Sequence, residues 1–213
     1  MLNSKERGGI GVDEVGRGPL AGPVTVCAVY IKDLKKVKKD LFNNTVRDSK
    51  KISKVLRNNI FLTLSKNRYL NTTIKYAICS RSARYIDKHG IQSAIKDCVD
   101  RCLLNLSEKG VNISKLDINM DAGLKASDSK LKQKAFIKGD EKFVEIAIAS
   151  ILAKESRDRY MRSMHSKYPE YFWDKNVGYG TRNHIKSIEN LGITKLHRTT
   201  YLKGFKLFDK TEK

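Results

Sequence analysis

The sequence predicts an α/β protein with a mixed β-sheet flanked by helices, and three observations lead to this prediction. A β-branched and almost continuously apolar segment, residues 24–31, is typical of a buried strand. Apolar residues recur every 3.6 positions from Ile91 to Leu106, which indicates an amphipathic helix. Apolar and polar residues alternate from Leu116 to Asp121, which indicates another strand. Strands and helices that succeed each other along one chain favour a single α/β domain.

The other elements of the first half are predicted from local signals. Gly9 to Asp13 reads as the end of a first strand, and the glycine- and proline-rich turn after it predicts a hairpin with residues 24–31. Lys35 to Lys39 form a basic loop or a short helix. Three further predictions are a helix capped by Ser53 and running to about Asn67, a strand from Leu70 to Cys79, and a helix C-cap at Gly110.

In the second half, a short strand is predicted from Ala135 to Lys138. A long helix follows from about Lys142 to Ser166 and stops before Pro169. Its apolar first half should be buried, and its second half, with Lys154, Arg157, Arg159 and Arg162, should emerge into solvent. A last helix is predicted from a Thr181 cap to about Leu191-Gly192.

Charge points to the class of partner. The 213 residues include 43 Lys and Arg against 23 Asp and Glu, a formal charge of +20. So basic a chain predicts a polyanionic partner, nucleic acid first and an anionic membrane surface second. The longest apolar stretches, residues 24–31 and 146–153, are too short to span a bilayer, and the first residues contain no secretory signal. We therefore expect a cytoplasmic protein.

The four cysteines, Cys27, Cys79, Cys98 and Cys102, form no CxxC pair, which argues against a zinc site. Cys98 and Cys102 are four residues apart on one predicted helix face, and we expect them to be buried, reduced thiols. Acidic residues offer a better metal site. Asp13 and Glu14 are adjacent in a glycine-rich stretch, and Asp121 and Asp140 follow predicted strands. Oxygen ligands without His or Cys favour Mg²⁺ or Mn²⁺, and such a cluster on a basic protein fits metal-assisted phosphodiester hydrolysis. On spacing alone, each residue could equally serve as a turn or cap residue.

A resemblance makes the hydrolase hypothesis specific. The segment Gly11-Val12-Asp13-Glu14-Val15-Gly16-Arg17-Gly18-Pro19-Leu20-Ala21-Gly22-Pro23 resembles the opening motif of the bacterial ribonuclease HII family. Further blocks resemble the family in the right order: Asp48-Ser49-Lys50-Lys51, Met120-Asp121, Lys138-Gly139-Asp140, residues 146–154 with Arg157-Asp158, Gly178-Tyr179-Gly180-Thr181 and His197-Arg198. The resemblance covers about residues 9–201.

The resemblance implies a ribonuclease H-like sheet with a small helical C-terminal part. It implies one domain over residues 1–213, with a catalytic core at about 9–166 and a substrate-contacting part at about 167–213. The implied catalytic and metal-binding residues are Asp13, Glu14, Asp121 and Asp140. The implied nucleic-acid-binding residues are Gly16, Arg17 and Gly18, which would read the 2′-hydroxyl, Tyr179, which would stack beside an RNA–DNA junction, and Ser49, Lys50, Lys51, Lys154 and Arg198.

The implied activity is cleavage of the RNA strand of RNA–DNA hybrids and incision 5′ of single ribonucleotides in duplex DNA. The products would carry 3′-hydroxyl and 5′-phosphate ends, and Mg²⁺ or Mn²⁺ would be the cofactor. We expect a monomer with no membrane and no obligate protein partner. Two alternatives stay open: a non-catalytic nucleic-acid-binding protein, and a nuclease of the same fold that acts on DNA junctions.

Other residues receive structural interpretations. We interpret Asp158 as a member of an ion pair on a helix face and Trp173 as local packing. His184 and His197 are assigned to no metal, and for His197 both a structural role and a phosphate contact are open.

Overall fold

The sheet is mixed, as predicted. The computed structural model describes residues 9–42, 54–66 and 73–204. Its strands are β1 (Ile10–Val15), β2 (Val24–Ile31), β3 (Ile74–Arg81), β4 (Ile118–Asp121) and β5 (Gln133–Phe136). They form one sheet in the order β3-β2-β1-β4-β5. β2 is antiparallel to both β1 and β3, whereas β1, β4 and β5 run parallel.

Helices cover both faces of the sheet. They are α1 (Leu34–Phe42), α2 (Lys54–Lys66), α3 (Ala83–His89), α4 (Ile91–Glu108), α5 (Gly139–Lys142), α6 (Val144–His165), α7 (Trp173–Asn176) and α8 (Arg182–Leu191). Short 3₁₀ turns lie at Ile113–Lys115, Pro169–Tyr171 and Thr199–Tyr201. In the described part of the chain, no helix has the length and apolar character needed to cross a bilayer.

The sheet separates two apolar layers. On one side, alternate β2 residues such as Val24 and Val26 pack with the apolar face of α4. On the other side, the intervening Cys27 and Val29 pack with α1, α2 and α6. β2 is therefore buried on both faces, which explains why its sequence lacks alternation.

Most of the predicted elements are present, with shifted boundaries. β1 runs two residues beyond Asp13, and β3 extends to Arg81; Ser53 and the predicted start of β3 at Leu70 lie outside the described residues. The basic segment after β2 is helical, because Val37 is buried against the core. The predicted long helix is present as α6; the short helix α5 precedes it, and the extended backbone of Phe143 separates the two.

Two helix ends are confirmed in detail. The amide of Gly110 donates to the Ser107 carbonyl (2.8 Å) and the amide of Val111 to the Leu106 carbonyl (3.0 Å), the Schellman pattern of a C-terminal cap. At the start of α8, the Thr181 hydroxyl accepts from the His184 amide.

One prediction about α6 is wrong. Its second half does not simply emerge into solvent, because Arg157 is 1% exposed. Arg157 lies four residues from both Ala153 and Met161, which are also buried, so it belongs to the buried stripe of the helix. That spacing was the signal available in the sequence.

The C-terminal part packs as a separate small core. Met161 of α6, Tyr171, Trp173 and Ile188 form it together with Ala21 and Leu202. Ala21 belongs to the connection between β1 and β2, so this core attaches the C-terminal segment to the motif that follows the first strand.

Candidate active site

Three of the four predicted acidic residues lie at one edge of the sheet. Val12 of β1 is paired with Met120 of the parallel strand β4, so Asp13 and Asp121 follow at neighbouring positions. The Asp121 carboxylate accepts a hydrogen bond from the amide of Gly139 (2.8 Å), which brings Asp140 to the same edge. Asp13 and Asp140 are almost buried, at 6% and 7% exposure.

Asp13 sits in an environment that opposes its negative charge. Burial, followed by repulsion from Glu14, raises the pKa of the Asp13 carboxyl well above its usual range, and Asp121 adds to the repulsion. A hydrogen bond from the Ser150 side chain and one from the Glu14 amide (2.8 Å) act in the opposite direction. Ser150, on α6, is absent from the sequence-based site; its one signal is a hydroxyl within an otherwise largely apolar helical stretch.

Glu14 leaves β1 on the opposite face from Asp13. Because β1 continues to Val15, adjacent side chains extend to opposite faces at this position. The Arg17 Nε donates to Glu14 Oε1, while Glu14 Oε2 is buried with no hydrogen-bond partner. Arg17 Nη2 also lies 3.5 Å from the Gly123 carbonyl, so its guanidinium faces the carboxylate edge.

The four carboxylates do not form a preassembled metal cage. Within the described ranges, no three His, Cys, Asp or Glu side chains are arranged to hold a metal ion. The donor chemistry nevertheless fits a divalent cation: the side chains offer only oxygen, Asp13 is buried among like charges, and Glu14 Oε2 lacks a donor. A cation at this edge would offset the repulsion that raises the pKa of Asp13.

The turn after β1 lies beside this edge, because Arg17 contacts both Glu14 and the Gly123 carbonyl. Gly16 has a φ of +95°, and a Cβ there would lie 2.5 Å from Arg157 Nε, so the position requires glycine. Gly18 is exposed, and no atom lies within 4 Å of where its Cβ would be. This open space is where a nucleic-acid strand could reach the backbone of the turn.

Arg198 requires a correction. The sequence assigns it to nucleic-acid contact, but its side chain is fully buried. Its guanidinium donates to the carbonyls of Gly16 (2.6 Å), Arg17 (2.9 Å) and Gly22 (3.0 Å). Arg198 therefore supports the turn from the protein interior and cannot reach a phosphate in this arrangement.

The remaining predicted contacts are distributed around the same region. Tyr179 is 42% exposed beside the turn, where Gly178 accepts hydrogen bonds from the amides of Leu20 (2.8 Å) and Ala21 (3.2 Å). Lys154 on α6 is paired with Asp158 at 3.0 Å, and its side chain is 39% exposed. The predicted Ser49, Lys50 and Lys51 lie outside the described residues.

Several structural interpretations are confirmed. Asp158 forms its helix-face pair with Lys154, the four cysteines are free thiols, and Trp173 is completely buried. His184 and His197 are buried too, with their Nε2 atoms 3.2 Å apart. The Trp173 indole N–H also donates to His184 Nε2 (3.1 Å). His197 is 2% exposed, and its ring nitrogens lie against His184 and the Thr194 amide, so its role is structural.

Known structures share the fold of this chain. A ribonuclease HII from Archaeoglobus fulgidus, solved in complex with PCNA, superposes with a TM-score of 0.68 over 95% of this chain and 97% of that one, at 22% identity. A Bst ribonuclease HIII solved with Mn²⁺ superposes with a TM-score of 0.66 over 92% of this chain and 67% of that one, at 18% identity. At such identities the likeness concerns the fold, which is that of ribonuclease H-type enzymes.

Sequence comparison is more specific. The family model described as Ribonuclease HII matches residues 10–204. A ribonuclease HII from Staphylococcus saprophyticus is 40% identical over 191 residues, 90% of this chain and 68% of that protein. A ribonuclease HII from Caldicellulosiruptor bescii is 38% identical over 204 residues, 96% of this chain and 91% of that protein. The chain belongs to the ribonuclease HII family and is thereby a metal-dependent endoribonuclease of the ribonuclease H type.

Proposed function

We propose that this chain hydrolyses the RNA strand of RNA–DNA hybrids and incises duplex DNA 5′ of a single embedded ribonucleotide. Membership of the ribonuclease HII family supports the reaction class. The observation that carries the proposal is the junction of β1, β4 and α5, where Asp13, Asp121 and Asp140 lie beside a turn that is open at Gly18.

We further propose Asp13, Glu14, Asp121 and Asp140 as the ligands of Mg²⁺ or Mn²⁺. The manganese complex of a related fold supports this choice of cation. Bound cations would activate the attacking water and stabilise the leaving oxygen. The chain itself would contribute the orientation of its carboxylates: β1 carries Asp13 and Glu14, β4 carries Asp121, and the Gly139 amide fixes Asp121. Glu14 would have to exchange its Arg17 partner for the cation.

The products would carry a 3′-hydroxyl on the deoxynucleotide and a 5′-phosphate on the ribonucleotide. Water adds to the phosphorus, the bond from phosphorus to the 3′-oxygen breaks, and that oxygen takes a proton. The turn of Gly16, Arg17 and Gly18 would select ribose through its 2′-hydroxyl. Tyr179 would stack on the neighbouring deoxyribose, as its exposure beside the turn allows. Lys154, with Ser49, Lys50 and Lys51, would contact phosphates.

Asp13→Asn tests the carboxylate assignment. We expect at least a ~100-fold loss of cleavage of a duplex with one ribonucleotide, since a metal ligand is removed. Duplex affinity in metal-free buffer should be retained, because the basic surface is unchanged. Folding should not suffer, since burial already disfavours the charge of Asp13.

Asp117→Asn is the matched control, an exposed residue immediately before β4 on the far side from the carboxylates. It should cleave like the wild type. Wild-type cleavage by Asp13→Asn would exclude Asp13 from the metal site. Metal-dependent cutting of an all-DNA duplex would instead favour a DNA-junction nuclease, and binding without cutting would favour a non-catalytic protein.

Tyr179→Ala tests the junction contact. Loss of a stacked aromatic ring should lower kcat/KM on a single-ribonucleotide duplex by about 10-fold or more, the equivalent of one stacking contact. Tyr76→Ala, on β3 away from the turn, serves as the control substitution. Unchanged kcat/KM for Tyr179→Ala on this substrate would remove Tyr179 from substrate recognition.

A further inference from the structure

Two buried arginines hold the turn formed by residues 16–23. Arg198 donates to three of its carbonyls, those of Gly16, Arg17 and Gly22. Arg157 donates to two more, those of Ala21 (3.1 Å) and Pro23 (2.8 Å). The two side chains are at most 1% exposed.

This arrangement determines where the amides of the turn point. In a trans peptide, the carbonyl of one residue and the amide of the next lie on opposite sides of the bond. Because Arg198 draws the Gly16 and Arg17 carbonyls inward, the amides of Arg17 and Gly18 are directed outward. Within the described part of the chain neither amide has an acceptor, and the space at Gly18 is open. Two successive outward amides form a concave site for an anionic oxygen.

The positive charges of Arg157 and Arg198 beneath the turn also favour an anion at this site. Within the described ranges, neither Arg157 nor Arg198 forms an ion pair within 4.0 Å, although buried arginines are usually paired. Asp158 and Asp87 attract the two side chains from farther away. Burial, followed by repulsion from Arg198, lowers the pKa of Arg157 to about 10, so Arg157 is cationic at neutral pH. Arg198 is cationic as well, because an arginine side chain is not deprotonated in proteins. Two buried positive charges below outward amides strengthen their attraction for an anion, because little water screens them.

Arg157 also joins the turn to the segment that carries Tyr179. Its Nη1 donates to the Val177 carbonyl (2.9 Å), and its guanidinium lies 5.9 Å from the centre of the Tyr179 ring. The two segments are in close contact, since a Cβ on Gly178 would lie 2.3 Å from the Ala21 carbonyl oxygen. The turn and Tyr179 are thereby fixed relative to each other.

We propose that Arg157 and Arg198 are positioning residues for substrate recognition. They orient the Arg17 and Gly18 amides toward the ribose and phosphate at the cleavage position, and they set the distance from this turn to Tyr179. This inference rests on the proposed function, because it specifies how the same site recognises its substrate.

The test compares Arg157→Met and Arg198→Met, which keep side-chain length and lose the donors, with the corresponding Lys variants. Leu106→Ala, a core substitution in α4 away from the turn, provides a destabilised control. For each protein we would measure thermal unfolding, kcat and KM on a duplex with one ribonucleotide, and Kd for the same duplex made entirely of DNA. All measurements would be made well below the lowest unfolding midpoint.

We expect the Met variants to lose ~100-fold in kcat/KM, as misplaced recognition groups do. Their all-DNA affinity should stay within about threefold of the wild type, as for substitutions that leave the surface intact. The Lys variants should fall between the two, since they restore the charge without the planar fork of donors. Leu106→Ala should retain wild-type kcat/KM.

Met variants that fold and retain kcat/KM within about threefold of the wild type would overturn the inference. An equal loss in Leu106→Ala would also overturn it, because the effect would then follow stability alone. If the Met variants do not fold, the Lys variants provide the test. A loss of kcat/KM of ~10-fold would support the inference, and a smaller loss would overturn it. A wild-type chain that leaves the ribonucleotide duplex uncut refutes the proposed function, a distinct result.

A measurement on the unaltered chain needs no variant. In metal-free buffer, the amide NMR resonances of Arg17 and Gly18 should shift when the ribonucleotide duplex is added, and shift less with the all-DNA duplex. Equal shifts with both duplexes, or none, would contradict the proposed orientation of these amides.

Discussion

At the scale of single residues, the site is defined by how each charge is compensated. Asp13 is buried beside other carboxylates and keeps two hydrogen-bond donors, the Ser150 side chain and the Glu14 amide. Glu14 instead depends on Arg17. A divalent cation would therefore relieve the repulsion on Asp13 directly, whereas Glu14 would first have to break its ion pair with Arg17.

Ser150→Ala tests the support of Asp13. Without this donor the pKa of Asp13 should rise further, so the carboxylate is protonated at higher pH and the acidic limb of the activity profile moves upward. A hydrogen bond to a charged group contributes about 1.5–3 kcal/mol. We therefore expect the Mg²⁺ concentration for half-maximal cleavage to increase by about 10-fold.

Ser163→Ala, an exposed serine of the same helix, should change neither quantity. The test requires a metal titration and a pH profile of cleavage for both variants. If Ser150→Ala matches the wild type in both measurements, the hydrogen bond to Asp13 affects neither metal binding nor the pH dependence of cleavage.

At the scale of elements, the C-terminal core connects α6, α7 and α8 through neutral histidines. His184 Nδ1 donates to the Tyr179 carbonyl (2.8 Å), and the Thr194 amide donates to His197 Nδ1 (2.9 Å). The single lone pair of His184 Nε2 is then shared between His197 Nε2–H and the Trp173 indole N–H. Burial, followed by His184, lowers the pKa of His197 to about 4, and burial also lowers the pKa of His184.

This core should weaken in acid. An unfolded histidine titrates near pH 6.5, whereas His197 titrates near 4 in the folded chain, so only the unfolded state gains the proton between these values. The free energy of unfolding should be highest above about pH 6.5 and decrease toward pH 4, by on the order of 3 kcal/mol for His197. Urea unfolding at several pH values measures this.

His197→Gln should reduce that pH dependence, and His89→Gln, at the exposed end of α3, should preserve it. If His197→Gln and the wild type lose stability equally between pH 7 and pH 5, His197 is not held neutral.

At the scale of the whole molecule, the charge of +20 should govern duplex binding. The logarithm of the association constant should decrease linearly with the logarithm of salt concentration, because each neutralised phosphate releases counterions. Lys154→Ala should reduce the slope by about one if Lys154 contacts a phosphate.

Lys115→Ala is the control, since this exposed lysine precedes β4 on the side away from the carboxylates. Its slope should equal that of the wild type. A Lys154→Ala slope that also equals the wild type would assign Lys154 only to its pair with Asp158.

The sequence predicted the elements of the core well, because strand and helix periodicity record burial directly. The apolar β2 segment, the α4 period and the Gly110 cap each reappear in the structure. Arg157 and Arg198 were misjudged for the same reason: an arginine usually indicates a surface, and nothing local shows that carbonyls of a distant turn will bind it.

By itself, the sequence determined the α/β class and the membership of a nuclease family, since these depend on residue type and order; the acidic residues it proposes for the site stay a prediction. Only the tertiary structure decided that Asp13 and Glu14 face opposite sides of a strand, that Ser150 reaches Asp13, and that buried arginines support the turn. The physical reason is that strand register, helix packing and burial bring together residues far apart in the chain, and no local pattern encodes those contacts.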